Sequence, residues 1–141
     1  MLSLRILCHG TLKEEYLRAA CAEYVKRLGG YCAVQVLEAK DDKALAGLIR
    51  EKEYTVALCV EGVEISSEEL AQKIEGQMAR GIGAFAFVIG GSDGLPESTK
   101  KMCDFRLSFS KMTFPHQLMR VILLEQLYRA FNIMNGGKYH K

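Results

Sequence analysis

The sequence has few of the features that mark domain linkers, membrane segments or exported chains. Its 141 residues contain only two prolines, no internal repeat and no low-complexity stretch, so we predict one domain spanning 1–141. No apolar run approaches the roughly 20 residues that a membrane span requires, and Met1–Cys8 lacks the basic and apolar regions of a signal peptide. We therefore expect a cytoplasmic protein that does not contact a membrane.

Paired cysteines are also missing. The five cysteines form an odd count, with no Cys-x-x-Cys pair and no ligand-like spacing to a histidine, so we expect neither a disulfide framework nor a metal site. All five lie among apolar neighbours and are interpreted as small buried side chains of a protein from a reducing compartment. A reactive thiol is the alternative.

Net charge is nearly absent, at +2, but it is unevenly distributed. Residues 1–99 contain 11 basic and 15 acidic side chains, whereas residues 100–141 contain 8 basic and 2 acidic ones. An excess of Lys and Arg in one third of a chain favours contact with phosphates. The carboxyl-terminal third is therefore the candidate surface for RNA.

Short apolar runs alternate with helix-period segments along the whole chain. The predicted strands are Leu2–Cys8, Tyr31–Leu37, Thr55–Val60, Ala84–Ile89 and Phe105–Phe109. The predicted helices are Lys13–Leu28, Asp41–Glu53, Ser66 to about Arg80, a short one with Pro96 in its first turn, and about Pro115 to Met134. The third helix carries a capping-box pattern, since Glu69 follows Ser66 by three residues.

Every residue of the fourth predicted strand, Ala84–Ile89, is apolar. A strand with one solvated face alternates in polarity, whereas a strand covered on both faces does not. Strands and helices that alternate along a chain indicate an α/β fold. We therefore predict a doubly wound, mostly parallel sheet of five to six strands with helices on both faces.

The last predicted helix carries more apolar surface than one sheet face covers. Its polar residues fall on two nearly opposite sides, with His116 and Arg120 on one and Glu125, Arg129 and Asn132 on the other. The two apolar sectors between them predict burial against the sheet and against a second subunit related by a two-fold axis. A helix enclosed within a monomer is the alternative.

The segment GGSDG at 90–94 follows a buried strand and precedes a helix. At such a place, backbone N–H groups and missing side chains admit a ligand to the carboxyl edge of a sheet. The segment matches neither a GxGxxG fingerprint nor a GxxxxGK[ST] phosphate loop, so ATP and GTP are not favoured as ligands. A strand-to-helix turn whose glycines supply positive φ is an equal alternative.

The three histidines lie too far apart in sequence to form a metal-binding pair. His9 is expected in a strand-end turn. His116 stands at the start of the last helix, where it either projects into a cleft at the strand ends or only caps the helix. His140 belongs to the tail Asn135–Lys141, in which Tyr139 and the lysines suit contact with an RNA base and phosphates. Composition alone favours a disordered tail.

Several segments closely resemble the ribosomal RNA large-subunit methyltransferase H family. These segments are FAFVIGGSDGL at 85–95, LSFSKMTFPHQLMR at 107–120, EQLYRAF at 125–131 and the final YHK. The segment Gly10–Leu28 is similar too, and the resemblance covers nearly the whole chain. The stretch Lys40–Tyr54 is shorter than in many members, which affects only peripheral loops.

The resemblance implies a SPOUT-type α/β fold whose carboxyl-terminal part is threaded into a trefoil knot that holds S-adenosylmethionine. It also implies a homodimer with cofactor pockets beside the subunit interface. The implied activity is methyl transfer to N3 of a pseudouridine in the large-subunit RNA of assembled bacterial ribosomes. Carried over residue by residue, the resemblance assigns the cofactor pocket to Leu58, Gly90, Phe109, Ser110, Lys111, Met112, Thr113 and Phe114.

The resemblance and the chemistry of methyl transfer indicate His140, Tyr139, Arg129 and His116 for the RNA side of the reaction. His140 is expected to accept a proton or position the base, Arg129 to contact a phosphate or ring oxygen, and Tyr139 to stack. Two alternatives stay open. One is a methyltransferase of the same fold that acts on transfer RNA, and the other is a nonenzymatic ribosome-binding module with a purely structural glycine loop.

Overall fold

The computed structural model describes residues 2–139, which form one parallel sheet interleaved with helices. The strands are β1 (Ser3–His9), β2 (Ala33–Ala39), β3 (Tyr54–Glu64), β4 (Ala84–Ile89) and β5 (Phe105–Ser108). The helices are α1 (Glu15–Leu28), α2 (Asp42–Gly47), α3 (Ser67–Ala79), α4 (Glu97–Lys100) and α5 (His116–Met134). The strand order is β2-β1-β4-β3-β5, and every pairing is parallel. The predicted α/β class is confirmed, whereas the trefoil knot stays a prediction.

Each face of the sheet carries its own apolar core. Ile6 and Phe87 face a core shared with α1, α3 and α5, while Leu7 and Val88 face a second core shared with α2 and the chain after β4. The connections that lead toward the β2 edge of the sheet pass over the face with the first core, and those that lead toward the β5 edge pass over the face with the second core. All the crossovers therefore have the same hand. Because the chains that leave β3 and β4 go to opposite faces, a crevice opens at the carboxyl ends of these neighbouring strands.

The second helix and the second strand differ from their predicted bounds. The second helix ends at Gly47 instead of Glu53, because the chain beyond it is held by a buried arginine rather than by helical bonds. Arg5 donates to the carbonyl of Leu48 (3.1 Å) and to the Glu53 carboxylate (2.6 Å). The second strand begins at Ala33, two residues later than predicted, since the residues before it form a turn.

β3 continues past the predicted end because its pairing with β5 is interrupted and then resumes. Leu58 and Val63 both pair with Leu107, so residues 59–62 leave the ladder as a bulge. A Cβ on Gly62 would lie 2.8 Å from backbone atoms of Arg106 and Leu107. Only glycine permits this close approach of the two backbones. The bulge, which ends at Gly62, carries residues 59–61 to the carboxyl edge of the sheet.

α5 packs against α1 and α3 and buries Leu123, Leu127 and Phe131. Arg120, which the helical pattern places on a polar side of α5, is buried, since this residue is only 2% exposed. It is held by three acceptors: the Glu38 carboxylate (2.5 Å) and the carbonyls of His9 (3.2 Å) and Gly10 (2.6 Å). In the single chain one apolar sector of α5 stays partly uncovered, with Leu118 exposed and Val121 and Ile122 half-buried.

The cysteines are less uniform than predicted. Cys8 and Cys32 are buried, but Cys21, Cys59 and Cys103 are only half-buried, because each lies at the edge of a packed element. Burial raises the pKa of every one of these thiols, to about 12 for Cys8 and to about 11 for Cys32 and Cys103. High pKa values do not favour a reactive thiol.

No helix between residues 2 and 139 is long and apolar enough to cross a membrane.

Candidate active site

A cavity of about 620 Å³ occupies the crevice at the carboxyl ends of β3, β4 and β5. Its volume lies within the range of about 300 to 1,000 Å³ that is usual for ligand sites. The chain segments that follow the three strands line it, joined by Lys100 at the end of α4 and Met119 in α5. The lining segments are 58–61, 89–95, 107–110 and 112–116.

The structure brings seven of the eight predicted cofactor residues into this one cavity. They are Leu58, Gly90, Phe109, Ser110, Met112, Thr113 and Phe114. The eighth, Lys111, has an exposed side chain and does not line the cavity. The resemblance therefore selected residues that are far apart in sequence but adjacent in the fold.

The glycine loop, residues 90–94, packs tightly against its own backbone and against His9 at the end of β1. A Cβ on Gly90 would lie 2.7 Å from the carbonyl carbon of Gly94, and a Cβ on Gly91 would lie 2.8 Å from Nδ1 of His9. Gly94 alone of these glycines has a positive φ, at 78°, and its N–H donates to the carbonyl of Gly91 (2.9 Å). Glycine is thus required at 90 by close approach to backbone and at 94 by backbone conformation, whereas a side chain at 91 would displace the His9 ring.

The segment after β5 presents unused backbone groups to the cavity. Two hydrogen bonds shape it: the Ser108 hydroxyl donates to the carbonyl of Ser110 (2.9 Å), and the N–H of Met112 donates to the Ser110 hydroxyl (3.0 Å). The backbone groups of Thr113 and Phe114 make no hydrogen bond to any other residue in the described range. These groups, beside the apolar walls of the cavity, fit a flat heterocycle with polar edges such as adenine.

His116 lies at the rim of the same cavity, at the first position of α5. Burial lowers the pKa of this imidazole below its ordinary value of 6.5, and the nearby positive charges of Arg120 and His9 lower it further. The ring is therefore mostly neutral at pH 7 and has a nitrogen lone pair that accepts a proton.

The other predicted RNA-side residues lie at the opposite end of α5. The Tyr139 ring packs edge-on against Tyr128 with centroids 4.9 Å apart, and the Arg129 guanidinium lies 5.0 Å from the Tyr139 ring centroid. The N–H of Tyr139 donates to Oδ1 of Asn132 (3.1 Å). The chain up to Tyr139 is therefore docked on α5, contrary to the expectation from composition, because an aromatic ring and an Asn side chain hold it. His140 lies outside the described residues.

A hydrogen bond with Tyr24, followed by burial and a hydrogen bond with Glu125, raises the pKa of Tyr139 to about 12. The phenol is therefore protonated at physiological pH. Tyr139 thus offers a ring for stacking and a hydroxyl for hydrogen bonding, but no negative charge that would repel a phosphate.

The two groups of predicted RNA-side residues are not brought together within one chain. α5 contains 19 residues, so at 1.5 Å per residue its ends lie about 28 Å apart. His116 is at the end beside the cavity, while Arg129 and Tyr139 are near the end remote from it.

Reasoning from the sequence missed several side chains that line the cavity, among them Cys59, Glu61 and Lys100. The β3 bulge carries Cys59 and Glu61 to the cavity. Gly62, a glycine at the end of the predicted strand, was the sequence signal that could have indicated a bulge there. Lys100 gives no local signal, since its partner Glu61 is 39 residues away. Residues 2–139 contain no group of three or more His, Cys, Asp or Glu side chains that would hold a metal ion.

The fold and the cavity define an α/β protein with a cavity of ligand size at the carboxyl edge of its parallel sheet. The family model described as "Predicted SPOUT methyltransferase" matches residues 2–140. Ribosomal RNA large subunit methyltransferase H of Clostridioides difficile (strain 630) is 41% identical over 159 aligned positions, which cover 99% of this chain and 100% of that protein. The chain therefore belongs to the SPOUT methyltransferases and, within them, to the ribosomal RNA large subunit methyltransferase H family.

A solved structure agrees with this fold. A probable methylase family protein from Haemophilus influenzae Rd KW20 matches 100% of this chain and 72% of its own chain, with a TM-score of 0.64 and 16% sequence identity. At that identity the likeness concerns the fold alone. The predicted family and the predicted class of enzyme, a methyltransferase, are confirmed by the sequence matches.

Proposed function

We propose that this chain transfers a methyl group from S-adenosylmethionine to N3 of a pseudouridine in the large-subunit RNA of assembled bacterial ribosomes. The observation that carries the proposal is the 41% identity, over nearly the full length of both chains, to a protein named ribosomal RNA large subunit methyltransferase H. The cavity at the carboxyl edge supports it, because seven of its lining residues are those that the resemblance assigns to the cofactor.

The cavity suits the adenosine part of such a donor. Backbone groups of Thr113 and Phe114 are available to the polar edge of adenine, while Leu58 and Phe109 supply apolar walls. When bound, S-adenosylmethionine supplies a methyl group that is already activated by its sulfonium. What is left to the protein is to align the acceptor and to remove the proton from its nitrogen.

His116 is placed to assist with that proton. N3 of a uracil-type ring carries a weakly acidic proton, and a neutral imidazole at the cavity rim accepts such a proton on a ring nitrogen. The tail supplies complementary groups: Tyr139 for stacking on a base, Arg129 for a phosphate or ring oxygen, and His140 for positioning the base or sharing the proton.

The tail and the cavity belong together only in a homodimer. The helix ends are about 28 Å apart, while residues 135–140, six in number, span at most about 21 Å when fully extended. The tail therefore does not reach His116 of its own chain. A two-fold partner that covers the exposed sector of α5 at Leu118, Val121 and Ile122 would bring its tail to this cavity.

The test is mass spectrometry of ribonucleosides after incubation with isotopically labelled S-adenosylmethionine. Assembled ribosomes, isolated ribosomal RNA and transfer RNA form three parallel arms. We expect label in an N3-methylated pseudouridine of the large-subunit RNA, and only in the ribosome arm. Label in transfer RNA would favour the alternative substrate, and absence of both label and donor binding would favour a nonenzymatic ribosome-binding module.

A further inference from the structure

Two oppositely charged side chains form part of the wall of the cavity at the carboxyl ends of β3, β4 and β5. The Lys100 ammonium, at the end of α4, donates to the Glu61 carboxylate on the β3 bulge. The Lys100 side chain is largely buried, at 14% exposed, whereas that of Glu61 is 56% exposed. The pair thus joins two of the segments that enclose the site and sits where a ligand in the cavity would touch it.

Lys100 is the one lysine or arginine among the residues that line this cavity. An ammonium has three N–H donors, and within residues 2–139 only Glu61 accepts one of them. Two donors on a largely buried cation are therefore left for a ligand. Lys111, the only lysine among the eight residues expected to hold the cofactor, is exposed and lies outside the lining, so it does not fill this role.

The donor that the cavity is proposed to take has an amino-acid end as well as an adenosine end. That end carries one carboxylate and one ammonium group. Backbone groups and apolar side chains suit the adenosine, but they offer nothing of full positive charge to a carboxylate. An adjacent ammonium and carboxylate on the protein are the complementary arrangement.

We propose that Lys100 and Glu61 form the subsite for the amino-acid end of the methyl donor, with Lys100 binding its carboxylate and Glu61 its ammonium. This inference rests on the proposed function, because it assumes that the cavity holds S-adenosylmethionine. The hydrogen bond from Lys100 also lowers the pKa of Glu61, so the carboxylate is ionised throughout the neutral range. Ligand binding exchanges part of an existing ion pair for two new ones instead of burying a lone charge.

The experiment compares three ligands by isothermal titration calorimetry. S-adenosylmethionine and S-adenosylhomocysteine both carry the amino-acid end, and the second lacks the sulfonium charge. Methylthioadenosine keeps the adenosine and lacks the carboxylate and ammonium. The variants are Lys100→Met, Lys100→Arg and Glu61→Gln, with Lys101→Met as the matched control, since Lys101 is exposed and does not line the cavity.

Lys100→Met is expected to weaken both amino-acid ligands about 10-fold, because a charge-assisted hydrogen bond is lost. Methylthioadenosine should bind this variant as it binds the wild type, and Lys100→Arg should recover most of the lost affinity. Equal weakening of all three ligands would overturn the inference, since it would mean that Lys100 only maintains the shape of the cavity. Unchanged affinity for all three would also overturn it. Failure of the wild type to bind any of them would instead contradict the proposed function.

Discussion

A mixed-dimer experiment tests whether the tail of one chain serves the cavity of its partner. The first variant is a truncation after Gly137, which removes Tyr139 and His140 but leaves the cavity intact. The second is Gly90→Val, which damages the cavity, because even a Cβ at this position would lie 2.7 Å from the backbone of Gly94. Each variant alone should have almost no methyltransferase activity.

The expected activity of the mixture follows from the length of α5. The tail falls short of its own cavity, since about 28 Å of helix separates them and six extended residues span about 21 Å. After random exchange of subunits, half of the dimers contain one chain of each kind. In such a dimer one of the two sites combines an intact cavity with an intact tail, so the unfractionated mixture should recover about one quarter of wild-type activity and the purified mixed dimers about one half.

The assay is methyl incorporation into ribosomes from labelled S-adenosylmethionine, after the two variants have been co-expressed with different affinity tags and the mixed dimers purified. Size-exclusion chromatography and circular dichroism check that each variant assembles and folds. If the tail acted within its own chain, a mixed dimer would contain no complete site. Activity that stays at the level of the separate variants would therefore refute the reasoning, provided that mixed dimers are present.

Three further predictions concern single residues. Arg120→Met should lower the free energy of unfolding by about 2 to 4 kcal/mol in urea titrations at fixed protein concentration, because the carbonyls of His9 and Gly10 lose the guanidinium donor and the Glu38 carboxylate keeps only the N–H of Leu12. Burial raises the pKa of Glu38, but hydrogen bonds, the largest from Arg120, outweigh burial and hold this pKa below its ordinary value of 4.5. The loss of stability in Arg120→Met is therefore expected above pH 4.5, and it should shrink at lower pH, where Glu38 becomes protonated. Gly62→Ala should destabilise by about 1 to 3 kcal/mol, whereas Gly76→Ala on α3, with no atom within 4 Å of the new Cβ, should be neutral or stabilising. If His116 accepts the N3 proton, the rate of methyl transfer should fall only as the pH drops below 6.5, in step with the NMR titration of this imidazole, and a fall that begins above pH 7 would contradict that role.

Periodicity predicted the sheet well because the sheet is built from local patterns. The continuous apolar run of β4 required cover on both faces, and Phe87 and Val88 do point into separate cores. The capping box at Ser66 and Glu69 likewise marks the start of α3, since both of its hydrogen bonds are local. These features depend on neighbours within a few residues, which a sequence displays directly.

The errors come from contacts between distant parts of the chain. Helical periodicity places Arg120 on a polar side of the last helix but does not predict its burial, because its partner Glu38 is 82 residues away and no local pattern indicates a buried ion pair. The predicted second helix is too long for the same reason, because Arg5 donates hydrogen bonds to the carbonyl of Leu48 and to the carboxylate of Glu53, which hold this segment outside the helix. In the candidate site, the resemblance supplied seven residues that line one cavity, yet it gave no indication of Lys100 or of the bulge.

The uneven charge of the sequence is partly balanced by ion pairs within the fold. Of the basic residues after position 99, three pair with acidic residues from the first part of the chain. These pairs are Lys100 with Glu61, Arg106 with Glu97, and Arg120 with Glu38. Each one ties the carboxyl-terminal segment to an element that precedes it in sequence, so much of the apparent basic excess is neutralised within the fold.

The carboxyl-terminal segment keeps few cations for an RNA ligand. Within residues 100–139, Lys101, Lys111 and Lys138 form no ion pair, and Arg129 is paired with Glu125 on its own helix. Affinity for nucleic acid that comes from counterion release grows with the number of phosphates neutralised, so this segment of one chain offers only a weak electrostatic contribution. A dimer doubles the number of available cations and adds the Tyr139 ring of each tail. If the substrate is the proposed RNA, we expect this segment to recognise it through stacking and the shape of the assembled site more than through charge density.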